Sequence, residues 1–286
     1  QVLKTAKKTG GKGSHLGGTF SCIELLVALY YGNILKFDPS NPKWIDRYRF
    51  LVGKGHVHLA LFHIWADLGF IDNSILDSYG KNGSLLGQQL NISIPGSEYN
   101  TGSLGHVIGI GSGMALAAKL DKKNYYTIAL VGDAECDEGS IWESVMFAGR
   151  NKLNNLITIV DRNWMSVMDV LKEDEASGKL DEKFEAFGWN SLTINGHELY
   201  FGVEVTENER LNYSLPPKPP AGAMDIRFSD DTKLCSTDEC VIGVMNNGKP
   251  LVVESDLKDK LDGYQGFIKY LEGQVNYLKI MEAHYL

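Results

Sequence analysis

The sequence lacks any apolar run near the roughly 18 residues that a membrane-crossing helix needs. Its first dozen residues, Gln1 to Lys12, are polar and basic, without the apolar core of a secretion signal. A soluble, cytoplasmic protein with no membrane partner is expected. Cysteine is scarce, with four residues (Cys22, Cys136, Cys235, Cys240) in 286 and no CxxC pair. A disulfide-stapled scaffold is thereby excluded, and no zinc-ribbon spacing is present. Cations are outnumbered too: 28 Lys and Arg against 36 Asp and Glu give a net charge of −8. Nucleic acid needs clustered Lys and Arg, so it is not an expected partner. Proline is sparse, and four of its eight residues fall in one stretch, Leu215 to Pro220, which must be an extended segment and not helix.

What is present is ordinary globular material, 43% apolar and 22% charged, long enough for one large domain or two modest ones. Residues 1 to about 199 alternate helical stretches, short apolar strands and Gly-rich turns, which predicts an α/β fold with a parallel sheet and crossover helices. Tyr126 to Val131 and Leu156 to Val160 are continuous apolar runs, expected of strands buried on both faces. Between them, Ser140 to Arg150 carries apolar residues near helical spacing, completing a βαβ unit. Residues 200–286 follow a different grammar. Ala223 to Phe228 and Cys240 to Met245 read as strands, Asn246-Asn247-Gly248-Lys249 reads as a hairpin turn into Leu251 to Glu254, and Tyr264 to Tyr285 has the spacing of an amphipathic helix. The expectation is a β-rich, antiparallel extension ending in a helix and packed beside the first domain.

The residues that carry chemistry lie at two strand ends. Gly132-Asp133 ends one predicted strand and Asp161-Arg162-Asn163 ends the next, with 29 residues between Asp133 and Asn163. In an open parallel sheet both loops face the crevice beyond the strands' carboxyl ends. A carboxylate and an amide there are hard oxygen donors, suited to Mg²⁺, which takes part of its shell from phosphate oxygens. The main-chain carbonyl near Met165 is a candidate third protein ligand.

The stretch GDAECDEGSIWESVMFAGRNKLNNLITIVDRN, residues 132–163, resembles the cofactor-binding segment of transketolases. The resemblance continues through GSHLGGTFSCIELLVALYYG (13–32), DRYRFLVGKGHVHLALF (46–62), PGSEYNTGSLGHVIGIGSGMALAAKLD (95–121) and KFEAFGWNSLTINGHE (183–198). These five motifs, in the family's order, cover about residues 1–198 and look like the short N-terminal subunits of split transketolases.

That resemblance implies thiamine diphosphate and Mg²⁺ as cofactors, with Asp133, Asn163 and Met165 as metal ligands. It implies that Gly132, Asp133, Ala134, Glu135 and Asn163 border the diphosphate, and that Gly102, Ser103 and Leu104 line the thiamine. His15 and His56 match histidines facing the diphosphate and the reacting sugar. Glu138, and beside it Glu143, match acidic positions that communicate with the partner's glutamate. His58, His63 and His284 have no motif support and are expected to be structural. In the family a second α/β domain binds the cofactor's pyrimidine ring. No such domain follows residue 198, so the resemblance implies a complementary pyrimidine-binding subunit in a homo- or hetero-oligomer, with a sugar phosphate as substrate. Two departures stand out: the family's GHP is Gly87-Gln88-Gln89 here, and GDG is Gly132-Asp133-Ala134. Residues 200–286 do not match the family. Other readings at this stage are the corresponding subunit of a 2-oxo acid dehydrogenase or deoxyxylulose phosphate synthase, and a chimeric, non-catalytic chain.

Overall fold

The computed structural model describes residues 1–9, 14–32, 34–166, 170–171, 179–195, 200–201, 225–226 and 251–256. Its centre is a five-stranded parallel sheet. In chain order the strands are β1 (Arg49–Val52), β2 (Thr127–Gly132), β3 (Leu156–Arg162), β4 (Asn190–Asn195) and β7 (Leu251–Asp256), and in space they run β1-β2-β3-β7-β4. A separate two-stranded pairing joins β5 (Tyr200–Phe201) to β6 (Asp225–Ile226). β1, β2 and β3 lack polar alternation because both their faces are covered.

The pleat sends successive side chains to opposite faces. Phe50, Val52, Ile128, Leu130, Ile157 and Ile159 meet helices α3 (Ile23–Tyr31) and α4 (His58–Leu68), where Leu26, Leu59, Leu61, Phe62 and Trp65 are buried. Leu51, Ala129, Val131, Leu156 and Val160 face the other way. They pack with residues of α5 (Val107–Leu120), α6 (Gly139–Arg150) and α7 (Leu180–Ala186), among them Ile108, Ile141, Val145 and Phe184, and with Trp189. Each fully buried Leu, Ile or Phe contributes about 1.5–3 kcal/mol by leaving water, so the two layers hold the strand ends rigidly. α5 lies close on the sheet because Gly111 has no side chain: a Cβ there would sit 3.3 Å from Leu51, Thr127 and Leu156. α4 stops at Gly69, whose left-handed backbone (φ 87°) turns its N–H back to the carbonyls of Trp65 and Ala66. Short helices α1 (Val2–Lys8) and α2 (Leu16–Phe20) precede this core.

The first-half expectations agree with these elements, and β2, α6 and β3 fall within a residue or two of their predicted limits. The tail is corrected in one respect. Leu251–Asp256 does not pair in an antiparallel hairpin; it runs parallel between β3 and β4, with Ile157 and Asn190 both opposite Leu251. β5 and β6 also pair parallel. The turn signal at 246–249 is local, whereas the choice of partner strand follows the sheet: Leu251-Val252-Val253 is an unalternating apolar run, the grammar of an interior parallel strand. The rest of the expected strands near 223–228 and 240–245, and the helix at 264–285, lie outside the described residues. Among the described residues no helix is long and apolar enough to cross a membrane, and Cys22 and Cys136 are buried free thiols.

Candidate functional site

The carboxyl ends of β1, β2 and β3 carry three loops that meet. After β2 the chain turns at Asp133, which is 2% exposed. Its Oδ1 accepts the Ala134 N–H at 2.9 Å, and its Oδ2 accepts the Trp164 N–H at 2.7 Å, from the loop beyond β3. That second bond needs Trp164 in the left-handed region (φ 60°), a conformation costing a non-glycine residue about 1–2 kcal/mol. The indole is held by burial and by the Arg162 guanidinium 3.9 Å from its centre. Asn163 folds its own side chain back, Oδ1 accepting the Met165 N–H at 3.0 Å, an Asx turn. The two loops are thus clamped together, with Asp133 on one and the half-buried Asn163 on the other. Each oxygen engaged by an N–H retains a second lone pair. Burial pushes the Asp133 carboxyl up to about 6, opposed by its two backbone hydrogen bonds. A bound cation would offset that burial cost, so the pair fits a hard divalent ion. Among the described residues no group of three or more His, Cys, Asp or Glu is placed to hold a metal, so any cation at this pair would take its remaining ligands from oxygens of other kinds.

Beneath this pair lies a floor of buried charge. Lys54, in the turn after β1, is 2% exposed and donates to the Asp161 carboxylate and, at 3.1 Å, to Ser21 Oγ. Ser21 Oγ also lies 2.6 Å from Asp161 Oδ2. Burial alone would lower the Lys54 amine's proton affinity, but the facing Asp161 charge outweighs it and the ammonium is held above its ordinary range. Glu135 is likewise buried: Oε1 accepts the Gly105 N–H at 2.9 Å and Oε2 the Gly132 N–H at 3.2 Å. Burial pushes its carboxyl up, and the two amides pull it back.

The histidines gather on the β1 side. His15 and His56 have ring centres 5.7 Å apart, and His15 and His58 6.5 Å. Gly18 makes room for His56, since a Cβ there would lie 2.5 Å from that ring. Burial, and after it the Lys54 ammonium, hold His56 down to about 4. His58, expected to be structural, is fully buried, and burial holds it down to about 4 also. A carbonyl can only accept, so His58 Nδ1–H donates to Gly55 O at 3.2 Å, leaving Nε2 to accept from Tyr79 Oη at 2.8 Å. His58 therefore braces the turn that presents His56.

Gly102, Ser103 and Leu104 are exposed on the loop before α5. Gly105 (φ 87°) closes that loop against α6, where Ser140 Oγ donates to its carbonyl at 2.9 Å and Glu138 Cβ leaves no space for a side chain. Glu138, just before α6, and Glu143, on it, are exposed, and Met165 is exposed beyond β3. The structure thus brings together Asp133 with Asn163, Gly132 with the Gly102–Gly105 loop, and His15 with His56. Sequence reasoning missed Lys54 and Ser21, and placed Asp161 at a strand end without its buried partner. The signal available was a lysine in the Gly53–Gly55 turn directly after an apolar strand, where a buried cation needs a buried partner.

The description "Transketolase, thiamine diphosphate binding domain" fits residues 2–211 as a family model. The chain belongs to the transketolase family. Among its relatives are an apulose-4-phosphate transketolase subunit from Phocaeicola vulgatus, 42% identical over 188 residues (66% of this chain and 66% of that protein), and the 6-deoxy-6-sulfo-D-fructose transketolase subunit SqwG of Clostridium sp., 37% identical over 203 residues (71% and 74%). The crystal structure of transketolase from Campylobacter jejuni matches at 30% identity with a TM-score of 0.56, covering 60% of this chain and 28% of that one. Transketolase from Leishmania mexicana shares the fold at 19% identity and a TM-score of 0.59, over 83% of this chain and 36% of that one. This transketolase-family chain therefore aligns with about two thirds of the apulose-4-phosphate relative and with roughly a third of the longer transketolases. The strand-end loops described above lie inside the matched thiamine diphosphate-binding domain.

Proposed function

We propose that the chain is the diphosphate-binding component of a transketolase-type transferase, which binds thiamine diphosphate with Mg²⁺ and moves a two-carbon ketol unit between sugar phosphates in company with a pyrimidine-binding subunit. The observation that carries this reading is the clamp from Asp133 Oδ2 to the Trp164 N–H, which sets Asp133 and Asn163 side by side at the ends of adjacent parallel strands. In this reading Asp133 and Asn163 hold the cation, with the main chain at Met165 as a further oxygen source. Gly132 and Ala134 border the diphosphate, and Gly102, Ser103 and Leu104 border the thiamine. When bound, the cofactor supplies the centre that stabilises a carbanion.

The chain's own residues position and shield. His56, neutral at physiological pH because burial and Lys54 keep it so, offers an uncharged hydrogen-bonding ring beside His15. A neutral imidazole can accept or donate a proton without first shedding charge. Glu138, exposed at the start of α6 beside the Gly105 loop, is accessible to a partner's side chain. The names of the two bacterial relatives carry different sugars, and each name describes one component of a larger enzyme. That naming supports the partner requirement for this chain. The test is calorimetric titration with thiamine diphosphate, with and without Mg²⁺, followed by a ketose panel assayed for ketol transfer with and without a pyrimidine-binding subunit. Mg²⁺-dependent binding, with turnover only in the mixture, is expected. Robust turnover by the chain alone would overturn the split site.

A further inference from the structure

Glu135 resembles a cofactor-facing residue in sequence, yet both its carboxylate oxygens are already engaged by the protein's own backbone. Oε1 takes the Gly105 N–H at 2.9 Å and Oε2 the Gly132 N–H at 3.2 Å, and the side chain is 2% exposed. It is also pressed against β1's end, since a Cβ on Gly53 would overlap Oε1 and fall 2.5 Å from Oε2. One carboxylate thus joins the backbone after β1, the last residue of β2 and the loop before α5. A carboxylate facing a diphosphate would repel it, whereas one that accepts amides from two separate segments orients those segments relative to each other.

We propose that Glu135 is a positioning residue that locks the Gly102–Gly105 loop to the Gly132–Asp133 strand end, fixing the distance between the thiamine-bordering and the diphosphate-bordering segments. This rests on the cofactor reading above. The two tethered segments are not equally secure. Gly132 is also held by its pairing with Asp161 in the β2–β3 ladder. Gly105 belongs to no strand, and its further tie is the Ser140 hydroxyl on its carbonyl. Loss of one acceptor should therefore release the loop and leave the strand end in place. Glu135→Gln supplies that loss, because an amide offers one oxygen where the carboxylate offers two.

The test uses the full chain and two readouts. Hydrogen exchange is followed separately for peptides covering 100–106 and 127–133. Affinity is measured, with Mg²⁺ present, for inorganic pyrophosphate, which probes the Asp133–Asn163 end alone, and for thiamine diphosphate, which probes both ends. In Glu135→Gln the loop peptide should exchange about tenfold faster, the size of one lost charge-assisted hydrogen bond, with the strand peptide unchanged. Thiamine diphosphate affinity should fall about tenfold and pyrophosphate affinity less than about twofold on the same scale. Equal loss for both ligands, or equal exchange in both peptides, would mean a phosphate contact or general loosening and would overturn the proposal. Should Glu135→Gln not fold, Ser140→Ala frees the same loop from its other tie, and the same selective pattern must appear there or the proposal falls. Wild-type chain that binds neither ligand yet keeps the loop-selective exchange in Glu135→Gln would sink the cofactor reading alone.

Discussion

The floor and the rim of the strand-end crevice are built on opposite principles. In the floor, most charge is answered inside the protein: Lys54 with Asp161 Oδ2 and Ser21, and Glu135 with two backbone amides, while Asp161 Oδ1 is buried without a hydrogen-bond partner. In the rim, Asn163 is half-buried, Gly102 to Leu104, His15 and Met165 are exposed, and Asp133 keeps lone pairs beyond its two backbone bonds. Asp133 and Glu135 each accept two backbone N–H bonds and are equally buried, so what separates them is their surroundings: the Gly53 backbone closes on the Glu135 carboxylate, whereas Asp133 is clamped to the loop that carries the half-buried Asn163. Lys54, paired inside the floor, and Glu135, hemmed in by Gly53, are thus poorer candidates for ligand contact than the half-buried Asn163.

The largest break in that division would come from the rim. Asp133→Ala should weaken Mg²⁺-dependent thiamine diphosphate binding on the order of a hundredfold, through loss of a charged oxygen donor, and Asn163→Ala about tenfold. Calorimetry reads both, and unchanged affinity in the pair would remove them from the site. The floor should answer in stability instead. Lys54→Met strands the Asp161 carboxylate without its cation and should cost about 3–5 kcal/mol, and adding Asp161→Leu should recover most of it, since removing both buried charges relieves what removing one creates. Denaturant unfolding of the two variants compares them, and a double variant no more stable than the single would show that the pair is not a closed unit.

Gly53→Ala tests how tightly the floor is packed. The new Cβ would overlap Glu135 Oε1, so the carboxylate must move, at about 1–3 kcal/mol for overpacking. A thermal midpoint equal to wild type would mean that the carboxylate has slack. A further test concerns protons. His56 and His58 are held down to about 4 in the fold against 6.5 ordinarily. The unfolded chain takes up those two protons first as pH falls, so their contribution to stability is present above about 6.5 and lost progressively toward 4. NMR titration of the imidazoles checks this, and a His58 midpoint near 6.5 would show that its site is wet.

Much of the fold around the candidate site was readable because its signals are local. Apolar runs gave β2 and β3, helical spacing gave α6, and the motif at 132–163 pointed to Asp133 and Asn163, which the fold sets next to each other. The floor was not readable, because Lys54 and Asp161 are 107 positions apart and nothing local links them. Nor does composition tell which way Glu135 faces, since the same carboxylate suits a ligand or two backbone amides. The tail misled for a related reason: Asn246 to Lys249 reads as a strong turn in sequence, but a strand's partner is decided by the whole sheet, and β7 found its place between β3 and β4.

That place sets an order of events on the ribosome. Among the described strands, β4 is joined to the sheet through β7 alone, yet β7 is made after β4, β5 and β6. At roughly 5–20 residues per second, the growing chain spends seconds with β3 as an open edge and β4 unmoored. An unpaired interior-type strand edge is a template for pairing with other chains. Production of this protein should therefore be limited at that stage by holding chaperones and by translation speed across 200–250, before any cofactor or partner is encountered.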